Sequence, residues 1–407
     1  MEGRAEIAFV DASPGDRDEV VVGGFDLAGL LARIVHAVET VKAERIVLDS
    51  LTQLFDHFIS DQNIVRRELL RIAGSLKAKG LTVLMTAERR SEFGEISRHR
   101  IEEFVADNVV ILRNALMHER RRRTIEVLKM RGSRHVEGEV PITMVEKQGI
   151  VAVPLSSLRL EQQSSTKRVT SGNDELDKMC AGGLFRDSVT LVSGATGTGK
   201  TLLVTHFLAG GVAKGERALL VGYEESRGQL FRNAQGWGMD FEKMEADGKL
   251  KVICLYPEAQ GLPDHLLTIQ SLVEEFQPDR IAIDSLSALE RIAPEIGFRE
   301  FLISLTSFIK KREIAGLCTA TNKSLIGGQS ASEQHISTLT DSIILLRYIQ
   351  QREFMHRGLM VLKMRGSEHD KQIRRFTIDS GGMHLGRPFE GAPDVFGEGV
   401  SPGPQPA

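Results

Sequence analysis

At 407 residues the chain is long enough for two or three domains, and 41% hydrophobic residues with 5% aromatics suit ordinary globular cores. Fifty-two Lys plus Arg against 55 Asp plus Glu leave a formal charge of −3, which excludes the overall basic excess of a nucleic-acid binder. Cys180, Cys254 and Cys318 lie too far apart for a zinc knuckle, a CxxC pair or a disulfide framework. No apolar stretch approaches the roughly 18 residues of a membrane span, and the N-terminus has no apolar signal core, so buried thiols in a reducing cytoplasm are expected, with no membrane contact.

Self-comparison reveals a repeat. Arg45-Ile-Val-Leu-Asp49-Ser-Leu returns as Arg280-Ile-Ala-Ile-Asp284-Ser-Leu at an offset of 235. Ala106-Asp107-Asn-Val-Val-Ile-Leu-Arg113 returns as Thr340-Asp341-Ser-Ile-Ile-Leu-Leu-Arg347 at 234. Val127-Leu-Lys129-Met-Arg131-Gly-Ser133 returns as Val361-Leu-Lys363-Met-Arg365-Gly-Ser367, again at 234. Anchors that keep order and register in this way imply a duplicated domain. Within each copy, short apolar β-branched runs such as Ala43 to Leu48 alternate with amphipathic stretches such as Ile64 to Leu76. The alternation predicts an α/β fold with largely parallel, buried central sheets. The pattern breaks between Pro154 and Arg168, giving a first domain over 1–153, a linker over 154–168 and a second domain over 169–380. The stretch 381–407 holds seven Gly and five Pro, too little apolar content to offset ordering, and a mobile tail is expected there.

Gly194-Ala-Thr-Gly-Thr-Gly199-Lys200-Thr201 fits G-x-x-x-x-G-K-[ST], with a strand expected before it at Ser188 to Ser193 and a helix after it from Leu202. A glycine-rich turn without function would need neither. In such a loop, glycines let backbone N–H groups curl round phosphate oxygens and the helix N-terminus adds partial positive charge. Lys200 then reaches the β and γ phosphates, and the Thr201 hydroxyl is offered to Mg2+. Asp284 ends an apolar run and reads either as an acidic magnesium-side residue or as a cap for the next helix. Glu224 and Glu225 follow Ala218 to Tyr223 and should emerge at the sheet edge bearing the loop, one as a general base or both as a solvated turn. Lys200 lies 84 residues ahead of Asp284, whereas Asp49 has only 48 residues before it, so the first copy carries no matching loop. Either the chain is a fragment, its true start lies upstream, or the loop was lost with its flanking strand and helix. A first domain without them is expected to expose backbone groups and apolar faces.

Beyond the loop stand Tyr223-Glu-Glu-Ser-Arg227, Trp237-Gly-Met-Asp-Phe, Ile283-Asp-Ser-Leu-Ser-Ala-Leu, His335-Ile-Ser-Thr-Leu-Thr-Asp341 and Lys363-Met-Arg-Gly-Ser-Glu-His-Asp-Lys371. Together they resemble the KaiC family of circadian clock proteins, RecA-like P-loop ATPases, over almost the whole chain. The resemblance implies duplicated RecA-like domains and a homohexamer binding ATP between neighbouring subunits. With ATP and Mg2+ as cofactors, it implies ATP hydrolysis and a serine/threonine autokinase in the second domain. ATP contacts are implied at Gly194, Thr196, Gly197, Thr198, Gly199, Lys200, Thr201, Leu202 and Trp237. Catalytic roles fall to Lys200, Glu224, Glu225 and Asp284, and magnesium to Thr201, Glu224 and Asp284. Arg357, Lys363, Met364, Arg365, Ser367, His369 and Lys371 match residues that approach the ATP of the adjoining subunit. Ser337 and Thr338 match the phosphorylated pair, and Ser332 replaces a nearby threonine implicated in phosphate transfer. KaiA-like and KaiB-like clock proteins are the implied partners.

At the 234 offset the hydroxyl pair corresponds to Glu103 and Phe104, so only the second copy carries it. Two other classes stay open: a nucleotide-gated scaffold without phosphoryl transfer, and a RecA-like DNA-binding ATPase. The run His118-Glu-Arg-Arg-Arg-Arg123 would serve the latter, unless it is a solvated hairpin tip between strands at Val109 to Arg113 and Thr124 to Leu128.

Overall fold

The apolar runs and amphipathic stretches become strands and helices in the computed structural model, which describes residues 7–10, 27–52, 62–89, 91–94, 105–117, 120–153, 165–321, 336, 338–351 and 353–389. Two units result, Met1–Ala152 and Val153–Ala407. The first contains α1 (Leu27–Val41), β1 (Arg45–Leu48), α2 (Gln62–Ala78), β2 (Thr82–Met85), β3 (Asn108–Met117), β4 (Arg120–Met130), β5 (Glu139–Val145) and β6 (Gly149–Ala152). β1 and β2 pair in parallel, and β3 to β6 form an antiparallel sheet in chain order. One face of β1 and β2, through Ile46, Leu48, Val83 and Met85, packs on Leu30, Ile34, Leu69, Ile72 and Leu76 of the two helices.

The second unit contains β7 (Arg168–Val169), α3 (Asp174–Met179), β8 (Leu184–Phe185), β9 (Val189–Gly194), α4 (Lys200–Ala213), β10 (Ala218–Gly222), α5 (Arg227–Gly236), α6 (Phe241–Ala246) and β11 (Leu250–Cys254). There follow α7 (Leu262–Phe276), β12 (Arg280–Asp284), α8 (Leu286–Glu290), α9 (Glu295–Lys311), β13 (Ala315–Thr321), β14 (Ser342–Gln351), β15 (Phe354–Met364), β16 (Arg374–Asp379) and β17 (Gly382–Pro388). Its large sheet has the order β11-β10-β12-β13-β9-β14-β15-β16-β17, parallel from β11 to β14 and antiparallel beyond. Strand residues alternate between two apolar layers. Val192, Leu220, Ala282 and Leu317 pack with Leu203, Phe207 and Phe231 of α4 and α5. Leu191, Leu219, Ile281 and Cys318 pack with Ile269, Val273 and Leu305 of α7 and α9. Both faces are therefore dry, which is why these strands read as continuous apolar runs.

The repeat is visible atom by atom. Asn108 pairs with Met130 and Val109 with Lys129 before a bulge at Val109/Val110, and Ser342 pairs with Met364 and Ile343 with Lys363 before a bulge at Ile343/Ile344. The copies differ in what lies beside these hairpins. In the second unit β9 joins β13 to β14, whereas among the described residues of the first unit no strand joins β2 to β3. Val47, Leu84 and Leu112 are accordingly 62%, 61% and 57% exposed, while their equivalents Ala282, Leu317 and Leu346 are 0%, 1% and 0% exposed.

Three expectations shift. Gly382–Pro388 forms a strand, so the mobile tail expected over 381–407 does not hold for 382–388; Met383 and Leu385 anchor this strand on the core, and averaging Gly and Pro over 381–407 hid it. Residues 390–407 lie outside those described. Residues 165–168 are bound to the second unit, with the Ser165 N–H donating to Asp187 and the Arg186 N–H to the Lys167 carbonyl, while 154–164 lie outside those described. Arg121 to Arg123 are strand residues paired with Asn114 to Leu116, because ladder hydrogen bonds form whatever the side chain; His118 and Glu119 lie outside the described residues.

The three cysteines form no disulfide, and burial pushes the Cys180 and Cys318 thiols up to about 12. Among the described residues no helix is long and apolar enough to cross a membrane.

Arg280 opens β12 at 1% exposure. Its guanidinium pairs with Glu216, donates to the carbonyls of Thr170 at 3.0 Å and Phe207 at 2.5 Å, and lies over the Phe207 ring. It ties β12 to α4, and Gly211 makes room for it: a Cβ there would stand 2.1 Å from Arg280 Nε. Gly211→Ala should displace this buried cation and lower unfolding stability by about 3 kcal/mol in a urea titration; an unchanged midpoint would contradict the tie.

Candidate functional site

β9 ends at Gly194 and α4 starts at Lys200, so the loop between them lies at the carboxyl edge of the parallel strands, where β10 and β12 also deliver Glu224, Glu225 and Asp284. Gly197 and Gly199 adopt φ of +79° and +107°, which L side chains rarely enter. α4 has no side-chain cap, leaving its first amides to meet an anion. Lys200, 8% exposed, donates from Nζ to the carbonyls of Gly194 at 2.8 Å and Ala195 at 3.1 Å. Burial lowers its pKa, against the pull of Asp284 and Glu224. Thr196 is exposed, whereas the Thr198 hydroxyl turns in to the Ala195 carbonyl at 2.7 Å. Leu202 is buried in the core, so only its main chain faces the loop.

The acidic groups occupy distinct environments. Thr201 Oγ1 donates to Asp284 Oδ2 at 2.8 Å, and Thr319 of β13 donates to Asp284 Oδ1. Asp284 is thus engaged with the loop and β13, and Ser285 stands at the N-cap of α8. Burial raises the Asp284 carboxyl pKa despite these bonds. Glu225 is also raised, first by burial and then by Asp284, while the nearby Thr201 hydroxyl and the Asn233 amide, 2.9 Å away, oppose the rise. Glu224 is turned outward, accepting from Ser285 Oγ at 2.8 Å with Arg291 at 3.8 Å.

Among the described residues no group of three His, Cys, Asp or Glu could hold a metal alone. Mg2+ in nucleotide sites takes one or two protein oxygens and completes its shell with phosphate and water, and the Thr201 hydroxyl beside the Asp284 carboxylate is a donor set of that kind.

The remaining expected residues separate into groups. Trp237 follows α5 and is half-buried against the core. Arg357 faces Tyr348 across β14 and β15 at the loop edge, its guanidinium 5.8 Å from the ring centre. The Tyr348 hydroxyl lies against Gly197, where an added Cβ would come within 2.9 Å of it. Lys363, Met364 and Arg365 lie at the opposite edge. Ser342 pairs with both Thr190 and Met364, and Leu346 with Gly194, which sets Met364 about 13 Å along the strands from the level of Gly194.

Lys363 Nζ donates to the Thr340 carbonyl at 2.9 Å and Arg365 Nη2 to the Thr338 carbonyl at 2.8 Å. Met364 is buried in the core, Ser367 accepts from Arg168 at 2.6 Å, His369 is half-buried and Lys371 exposed. Ile336, Thr338 and Leu339 are helical; Ile336 is buried and Thr338 exposed. Ser332 and Ser337 lie outside the described residues. Sequence reasoning missed Thr319 and Tyr348. Thr319 is legible through the repeat, because Thr86 donates to Asp49 in the same register at 2.5 Å, whereas no local pattern marks Tyr348.

A glycine loop between a central parallel strand and a helix, with an acidic residue ending β12, the next strand but one, at the same edge of the sheet, defines a RecA-like P-loop ATPase. The family profile "ATPase: KaiC" matches residues 1–157 and 169–388, and the chain belongs to the KaiC family of circadian clock ATPases. It is 58% identical over 396 residues to the circadian clock protein KaiC3 of Synechocystis sp., covering 97% of this chain and 78% of that protein. To the circadian clock oscillator protein KaiC of Synechococcus elongatus it is 52% identical over 380 residues, 93% of this chain and 73% of that protein. The KaiC of Thermostichus vulcanus is 50% identical over 391 residues, 95% of this chain and 75% of that protein.

Because the folded Asp284 carboxyl titrates above its unfolded value, the fold without nucleotide is favoured at pH below the ordinary carboxylate range and loses that advantage as pH rises through the raised value. Asp284→Asn should therefore raise the nucleotide-free unfolding midpoint at neutral pH by roughly 2–4 °C and flatten its dependence on pH, read by calorimetry. A lowered midpoint would refute this.

Proposed function

We propose that the second unit is an ATP-dependent serine/threonine autokinase that also hydrolyses ATP, phosphorylating Ser337 or Thr338 across the interface of a cytoplasmic homohexamer. The polarity of the sheet carries this reading. The phosphate loop and the acidic groups occupy one edge, while Thr338, Lys363 and Arg365 are joined at the other. The strands hold acceptor and loop apart within one chain, and head-to-tail association would bring the acceptor edge of one copy to the loop of the next.

In that arrangement Lys200 and the amides of Gly194 to Leu202 bind the β and γ phosphates. Thr201 and Asp284, with Glu224 beside them, would hold Mg2+, which neutralises charge on the phosphates. Glu224, the outward glutamate, takes the proton of the attacking hydroxyl as its oxygen bonds to the γ phosphorus. The bond to the β-bridging oxygen breaks and ADP departs. Glu225, held by Asn233, keeps a carboxyl group beside Thr201 and Asp284. Lys363 and Arg365 of the neighbouring copy offset charge on the transferred group, with Ser367, His369 and Lys371 on the same segment. Trp237 packs near the nucleotide, and Arg357, which stands over Tyr348, belongs with the set that approaches the ATP of the adjoining subunit. KaiA-like and KaiB-like clock proteins are partners in the same reading.

Incubation with Mg2+ and ATP, followed by mass spectrometry, should find phosphate on the peptide bearing Ser337 and Thr338, none of it in Lys200→Ala and about 100-fold less in Glu224→Gln. An unmodified peptide from an ATP-binding hexamer would favour a nucleotide-gated scaffold. Mixing Lys200→Ala with Arg365→Ala copies should restore phosphorylation, and on the Lys200→Ala copies, because a hybrid interface pairs an intact loop with an intact acceptor edge. No rescue in confirmed mixed hexamers would count against a shared site.

A further inference from the structure

The two repeats satisfy one aspartate differently. In the first unit Asp107 is paired with Lys77 at 3.0 Å and Arg131 at 3.2 Å. In the second, Lys310 holds Asp341 Oδ1 at 2.8 Å, but the Val189 N–H that opens β9 donates to Oδ2 at 2.9 Å. Arg365, the equivalent of Arg131, reaches the Thr338 carbonyl instead. The surroundings are otherwise matched. The amides of Arg131 and Arg365 donate to the carbonyls of Asp107 and Asp341 at 3.2 and 2.9 Å. Lys129 and Lys363 donate to the carbonyls of Ala106 and Thr340 at 2.8 and 2.9 Å. Only the arginine has moved.

The physical cause is competition for a carboxylate oxygen. A buried strand amide must find an acceptor, whereas an exposed guanidinium has water as an alternative. The displaced Arg365 finds a carbonyl at the end of a helical segment, where the main chain lacks helical partners and a cation is favoured. One N–H is spent there, and the fork has four more.

We propose that Arg365 is a positioning residue for the phosphoacceptor: by holding the Thr338 carbonyl it fixes Thr338 to the Lys363 and Arg365 segment, so that the acceptor hydroxyl and the cations meet the neighbour's ATP as one piece. This rests on the autokinase reading and adds to Arg365 a role separate from any contact with phosphate. The β9 amide that frees Arg365 belongs to the strand bearing the phosphate loop, so the acceptor's anchor depends on the base of that strand.

The test measures two fates of ATP in the same sample of full-length hexamer: phosphate on the Ser337 and Thr338 peptide, and phosphate released to water. A residue that only touches ATP lowers both equally. Arg365→Ala should lower transfer about tenfold more than hydrolysis, and Arg365→Lys, which keeps charge but not the fork, should fall between. Amide exchange over residues 336–341 without nucleotide should also rise in Arg365→Ala. An unchanged ratio of transfer to hydrolysis overturns the proposal, as does unchanged exchange. If the parent transfers no phosphate, the autokinase reading fails by itself, and exchange still decides whether Arg365 holds the segment.

Discussion

The strand β9 has two parallel neighbours, β13 and β14, and most of the second unit depends on that pairing. A strand at this place closes the sheet, and its helix α4 covers one face with residues buried on nearly every side. It also brings Gly194 to the edge where β10 and β12 end, so that a loop, a hydroxyl and three carboxylates are assembled from positions up to 90 residues apart, as from Gly194 to Asp284. The repeat supplies its own control. Where no strand among the described residues joins β2 to β3, the same apolar positions face water, as Val47 and Leu84 do.

The parallel arrangement gives the unit a direction. Burial raises Asp284 and Glu225 and lowers Lys200, so the loop edge holds ionisable groups whose charges are costly there. The opposite edge exposes Arg365 and Thr338, joined to each other through a carbonyl. The two edges thus differ in charge and lie apart along the strands.

Much of this was legible in the residues. The phosphate loop, its strand and helix, and the strand-ending position of Asp284 follow from local pattern, because each is fixed by neighbours in sequence. The alternative of Asp284 as a helix cap was not separable from sequence, since both readings need an acid after a strand; in the fold its carboxylate is held by Thr201 and Thr319, from positions 83 and 35 residues away, while Ser285 takes the N-cap position of α8. Composition hid the strand at Gly382–Pro388, because Gly and Pro counts over a window do not register that Met383 and Leu385 alternate toward a core.

The sequence by itself determined the duplication, the nucleotide-binding chemistry and the family, since these rest on residue types held at fixed spacings. Tertiary structure alone decided that Glu224 faces outward while Glu225 faces Asn233, that Arg357 parts company with Lys363 and Arg365, and that Arg365 grips Thr338 while Arg131 grips Asp107. The physical reason is competition: adjacent or equivalent side chains carry the same chemistry, and which acceptor each one reaches depends on which strand amide or hydroxyl is already there.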